Sequence, residues 1–184
     1  MGVIRPKARF KVWLRSSAAA VGLGLLLAVC TMTAGEKANA QTARQPGYFI
    51  EFRARPSPYV GHTYVVYGRL DASGRPVERH QAGFFPGDDY LTALIIPVRG
   101  TVGRDSDDAL ASTAVYRRRI TAIEYRRVVD KVRLLRATQR SWHFFFFNCN
   151  DFAIEIAETL NLHRLPSLVP PNLWVDSLRL LSRD

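Results

Sequence analysis

Apolar residues recur along this chain with different periods, and each period predicts a different kind of element. Residues 47–53 (GYFIEFR) and 61–68 (GHTYVVYG) are short runs rich in aromatic and β-branched side chains, the composition of strands. Asp71-Ala72-Ser73-Gly74 is a turn signal, and 76–85 reads as the return strand of a β-hairpin. Pro86-Gly87-Asp88-Asp89 closes it. A further short strand is expected within 94–103, an exposed loop at 104–108 and another strand at 115–120. Beyond Thr121 the spacing becomes helical. Thr121 and Glu124 stand at capping-box spacing, and Tyr125, Val128, Val129, Val132 and Leu135 form one stripe of a helix ending near Thr138. Residues 142–147 (WHFFFF) are unbroken and apolar, which predicts a strand covered on both faces. Asn148 is placed to cap a helix over 149–161, prolines at 166, 170 and 171 interrupt, and Asn172 is placed to cap a last short helix carrying Leu173, Trp174, Leu178 and Leu181. Strands and helices interleave unevenly, so the fold class expected is α+β.

One apolar stretch fits none of these elements. Residues 18–29 are twelve Ala, Val, Gly and Leu residues, preceded by Arg5, Lys7, Arg9, Lys11 and Arg15 and followed by Ala38-Asn39-Ala40. That is the three-part pattern of a secretory signal, with cleavage expected after Ala40 and a flexible leader at 41–46. An uncleaved anchor would want about 20 apolar residues. Lipid attachment at Cys30 would want a small residue before it, where Val29 stands. The parse alters the composition argument. The whole chain has 184 residues, a formal charge of +10 and two cysteines. Cleavage would take away six basic residues, one acid and Cys30, leaving 144 residues, a charge of +5 and Cys149 alone. No intramolecular disulfide is then possible, and a lone exported thiol is either buried and inert or put to use.

Cys149 follows the aromatic run and opens a predicted helix. At about 100° per residue it shares a stripe with Phe152, Ala153, Ile156, Ala157 and Leu160, so the thiol is expected to face inward. Free N–H groups and the helix dipole at that position favour an anion, hence a thiolate. A thiolate nucleophile also needs a proton acceptor. His62 lies on the first hairpin strand between Gly61 and Thr63, and His80 on the return strand. The two histidines share a face if paired residue numbers add to an even total, and not if the total is odd. Nothing around His143 or His163 suggests more than a structural or surface role.

Gly61-His62-Thr63, followed far downstream by Phe147-Asn148-Cys149-Asn150-Asp151-Phe152, resembles the circularly permuted NlpC/P60 group of papain-like proteins. That group includes PPPDE-type thiol peptidases, lecithin:retinol acyltransferase-like enzymes and a periplasmic domain of bacterial lipoprotein acyl transferases. The resemblance covers most of 47–182. It implies a single permuted papain-like domain over 47–184, with an antiparallel sheet packed on the Cys-bearing helix. It implies Cys149 as nucleophile, His62 as base, His80 as the residue orienting it, and the Cys149 backbone N–H as an oxyanion donor.

Two functions follow as expectations. One is an exported thiol hydrolase or acyltransferase working through a thioester on cell-wall peptides or on lipid or lipoprotein acyl groups. The other is a catalytically silent envelope-binding module on the same fold. No cofactor or metal is expected, because HExxH, paired-cysteine spacing and a Gly-rich phosphate loop are all missing from the sequence. The basic residues of the 121–138 helix are interrupted by acids, and no nucleic-acid motif accompanies them. Peripheral contact with anionic lipid or wall polymer is compatible with the charge.

Overall fold

The computed structural model of the chain describes residues 46–56, 60–87, 90–104 and 111–182. The export signal, its cleavage point, most of the leader, Asp88-Asp89 and the 105–108 part of the expected loop lie outside these residues. Six strands are described: β1 (Gly47–Arg55), β2 (His62–Leu70), β3 (Pro76–Pro86), β4 (Val98–Gly103), β5 (Ala114–Ile120) and β6 (Ser141–Trp142). With them come helices α1 (Tyr90–Ala93), α2 (Ala122–Ala137), α3 (Cys149–Glu158) and α4 (Pro171–Leu181). The sheet order is β5-β1-β2-β3-β4-β6 and every pairing is antiparallel, so the α+β expectation holds.

Alternation along the strands sorts the sheet into two faces. Ile50, Phe52 and Ala54 of β1, Val65 and Tyr67 of β2, and Ala82 and Phe84 of β3 point to one face. There they join Val128, Val132 and Leu135 of α2, Phe152 and Ile156 of α3, and Trp174, Val175 and Leu178 of α4 in the main core. Burying the Val, Leu, Ile and Phe side chains among them stabilises the fold by roughly 1.5–3 kcal/mol each. The other face carries a smaller apolar cluster of Phe49, Tyr64, Val66 and Leu70. Beside it Glu51, buried on β1, accepts hydrogen bonds from Arg53 at 2.6 Å and Arg117 at 2.5 Å. Arg79 stands 3.5 Å from the same carboxylate, so three guanidiniums offset its desolvation within the sheet.

Local chemistry explains the boundaries. Asp71 accepts hydrogen bonds from the Ser73 hydroxyl and from the backbone N–H groups of Ser73 and Arg75, which tightens the hairpin turn and lowers the Asp71 pKa. Thr121 and Glu124 form the expected capping box of α2.

Three expectations fail. The aromatic run is not a strand: after Trp142 it turns back, with His143 bridged to Phe147 and with Phe145 and Phe146 exposed. An apolar run has no period to tell strand from turn. The last helix is preceded by Pro170 and begins at Pro171, with Asn172 inside its first turn; Leu173 and Leu181 face solvent. Proline at the first helical position needs no N–H, so it starts the helix earlier than the asparagine would. Helix α3 ends at Glu158, and Asn161 takes a φ of 54° beyond it.

Candidate active site

The site is built around the start of α3. Asn148 accepts hydrogen bonds from the N–H groups of Asn150 at 2.7 Å and Asp151 at 3.3 Å, and Asp151 returns one from the Asn148 N–H at 2.9 Å. This capping box holds the first turn rigid. The Asn148 amide also donates to the Phe144 carbonyl at 2.8 Å, which ties the aromatic turn to the helix. Asn150 reaches in three directions. It accepts from the Thr63 hydroxyl of β2 at 2.5 Å, and donates to the carbonyls of Ser167 and Val169, both at 2.8 Å.

Cys149 sits between these two asparagines, buried as its helical stripe predicts. It lines a cleft of about 560 Å³ together with Arg55, Trp142, Phe144, Asn148, Asn150 and residues of the 167–172 segment. Burial pushes the thiol up to about 11. Hydrogen bonding from the backbone N–H groups of Thr63, Asn150 and Cys149 itself works against that rise, and the nearby Asp151 carboxylate adds to it. The helix-start environment therefore exists, but desolvation wins, and the resting thiol is protonated at neutral pH. Tyr90 is close enough to feel a charge at Cys149. Its hydroxyl is pushed up to about 12, first by burial and then by that charge.

His62 is buried at the start of β2. Its ring packs on Phe85 at 4.3 Å between centroids and lies nearly parallel to Tyr64 at 6.1 Å. Its Nε2 stands 2.7 Å from where a Cβ on Gly83 would be, so glycine there makes the room. These contacts are on the sheet face opposite Thr63, the residue that meets α3, and His62 is not among the residues lining the cleft. Neighbouring strand residues point to opposite faces, so the residue that meets α3 is Thr63 and not the histidine before it.

His80 does not orient His62, contrary to the expectation. Tyr67 stands opposite His80, an odd total, so the two histidines lie on different faces. Phe85 holds the place beside the His62 ring. His80 is exposed and pairs with Glu78, 2.6 Å from its Nε2. His143 is buried in the aromatic turn, where its Nδ1 accepts from the Phe145 N–H at 3.1 Å and its Nε2 lies 3.4 Å from the Ile95 carbonyl, while His163 is exposed. Thr63 and Asn150 are the site residues that sequence reasoning missed. Each adjoined a residue it had singled out, but their link spans 87 positions and no local pattern carries it.

Among the described residues no group of three or more His, Cys, Asp or Glu side chains could hold a metal ion. No helix among them is long and apolar enough to cross a membrane. No family model, curated protein or solved structure matches the chain.

Proposed function

We propose that this chain is an exported thiol hydrolase or acyltransferase of permuted papain-like fold, acting on amide or acyl groups of the cell envelope. The observation that carries this reading is Cys149: a thiol in the first turn of a capped helix, lining a cleft, with backbone N–H groups directed at its sulfur. In the reaction the sulfur attacks a carbonyl carbon and a C–S bond forms. The N–H groups of Cys149 and Thr63 receive the developing oxyanion. The C–N or C–O bond to the leaving group breaks, and the thiol proton passes to that group through a base. Water or an acceptor amine then attacks the thioester, the C–S bond breaks and the proton returns to sulfur. His62 is the base in this reading, which requires its ring to leave Phe85 and turn toward the sulfur around the start of β2.

A second reading, a catalytically silent binding module, is favoured by the protonated resting thiol and by the packing of His62 away from the cleft. Single-turnover acylation by p-nitrophenyl butyrate, followed by intact-mass analysis, separates the two. An enzyme should form one adduct per chain, lost in Cys149→Ala and formed about a hundredfold more slowly in His62→Ala. Equal slow rates in wild type and His62→Ala, rising only above pH 9, would establish the binding module instead.

A further inference from the structure

The outer face of the sheet, opposite α2, α3 and α4, gathers more cations than it balances. Glu51 is buried there, and of the described strand residues that alternate onto this face it is the only acid. Three guanidiniums from three strands converge on it: Arg53 of β1, Arg117 of β5 and Arg79 of β3. Arg79 lies two strands away and reaches Glu51 across Gly68, which has no side chain in its path. Arg53 is the inner member, and both its contacts go to Glu51 Oε2. Arg117 and Arg79 have 46% and 42% of their side chains exposed, so a ligand can reach them. Arg117 spends its Nε and one terminal nitrogen on Glu51 Oε1, and its guanidinium lies over the Phe49 ring. Arg79 stands 3.5 Å from Oε2, and its guanidinium donates no hydrogen bond among the described residues. Glu78, its neighbour in sequence, lies on the other face, where it pairs with His80 and Arg69.

We propose that Arg79 and Arg117 bind a phosphoryl dianion on this face, over a floor made by Glu51 and Arg53. Charge is the first argument. One carboxylate against three guanidiniums leaves two positive charges uncancelled, and a phosphate monoester carries nearly two negative ones at neutral pH. Donors are the second. The Arg79 fork and the second terminal nitrogen of Arg117 keep N–H groups for a ligand, and planar guanidiniums match phosphate oxygens two at a time. Preorganisation is the third. Glu51 holds the guanidiniums together against their mutual repulsion, so binding has fewer long side chains left to order. Satisfying Glu51 needs only the two arginines that hydrogen-bond to it, whereas Arg79 adds charge without a bond. The chemistry is shared by soluble phosphate esters and by lipid headgroups that end in a phosphate monoester. The inference does not depend on the thiol chemistry.

The test titrates inorganic phosphate into the full chain by calorimetry at about pH 7.5, where phosphate is mostly dianionic. Sodium chloride holds the ionic strength constant, so that screening does not change during the titration. Wild type should bind phosphate at a site whose affinity falls about tenfold or more in Arg79→Gln, the effect of losing charge-assisted hydrogen bonds. The Arg79 guanidinium makes no hydrogen bond among the described residues, so this variant should fold as wild type does. Arg133→Gln, on the exposed side of α2, removes the same charge elsewhere and should leave the affinity unchanged. The comparison keeps phosphate held by the basic N-terminal residues from counting. Vesicles of phosphatidic acid in phosphatidylcholine then separate the sources: a headgroup ligand should displace phosphate, and a soluble ligand leaves the titration unaltered by vesicles. No saturable phosphate binding, or an Arg79→Gln titration that matches that of Arg133→Gln, would overturn the proposal.

Discussion

Asn150 shapes the cleft more than the cysteine beside it. Its side-chain amide makes three of the four hydrogen bonds it can make, one to the sheet and two to the segment before α4. Replacing it by alanine would leave the buried Thr63 hydroxyl and two carbonyls without their partner. Asn150→Ala should therefore lower unfolding free energy by about 3 kcal/mol in urea titration. A change within 0.5 kcal/mol, about the scatter of neutral surface substitutions, would show that water replaces those bonds. Cys149 was legible at this scale, since both its helix start and its inward stripe were readable from neighbouring residues. The roles of His62 and His80 were not. A one-residue change in strand parity sends a side chain through the sheet, and parity belongs to the pairing, not to the residue.

At the scale of elements, the β2–β3 pair decides that parity, and its closest approach is at Gly68. A Cβ there would lie 1.8 Å from the Glu78 carbonyl oxygen, a backbone atom held in the ladder. Gly68→Ala should break the pairing and cost about 3 kcal/mol or more, read as a lowered denaturation midpoint. Unchanged stability would mean that the hairpin can re-register around the added methyl. The hairpin and helix α2 could be read in advance because a turn signal and a capping box are local in sequence. The aromatic run could not. Its turn is held by the bond from Asn148 to the Phe144 carbonyl and by contacts with residues near position 95, and continuous apolarity fits strand and turn alike.

For the molecule as a whole, the buried acids of the core and cleft set its alkaline limit. Cys149 is raised from 9.0 to about 11 and Tyr90 from 10.0 to about 12, with Tyr67 and Tyr125 raised as well, all chiefly by burial. A group whose folded pKa exceeds its unfolded one contributes fully below the unfolded value and loses that contribution as pH climbs through the folded one. Thermal stability should thus hold up to about pH 9 and fall above it, toward pH 11–12. In Cys149→Ala the onset should move to about pH 10, where the tyrosines begin to ionise in the unfolded chain. A wild-type melting temperature flat to pH 11 would contradict the burial of these groups. By itself, the sequence determined what is local: strand and helix composition, caps, the hairpin turn, and a thiol in the first turn of a helix, because each depends on residues within a few positions. Only the tertiary structure decided which histidine face met the helix, which asparagine joined three elements, and that four phenylalanines make a turn with two of them in solvent. Those outcomes rest on pairing parity and on contacts between distant segments, which no local pattern encodes.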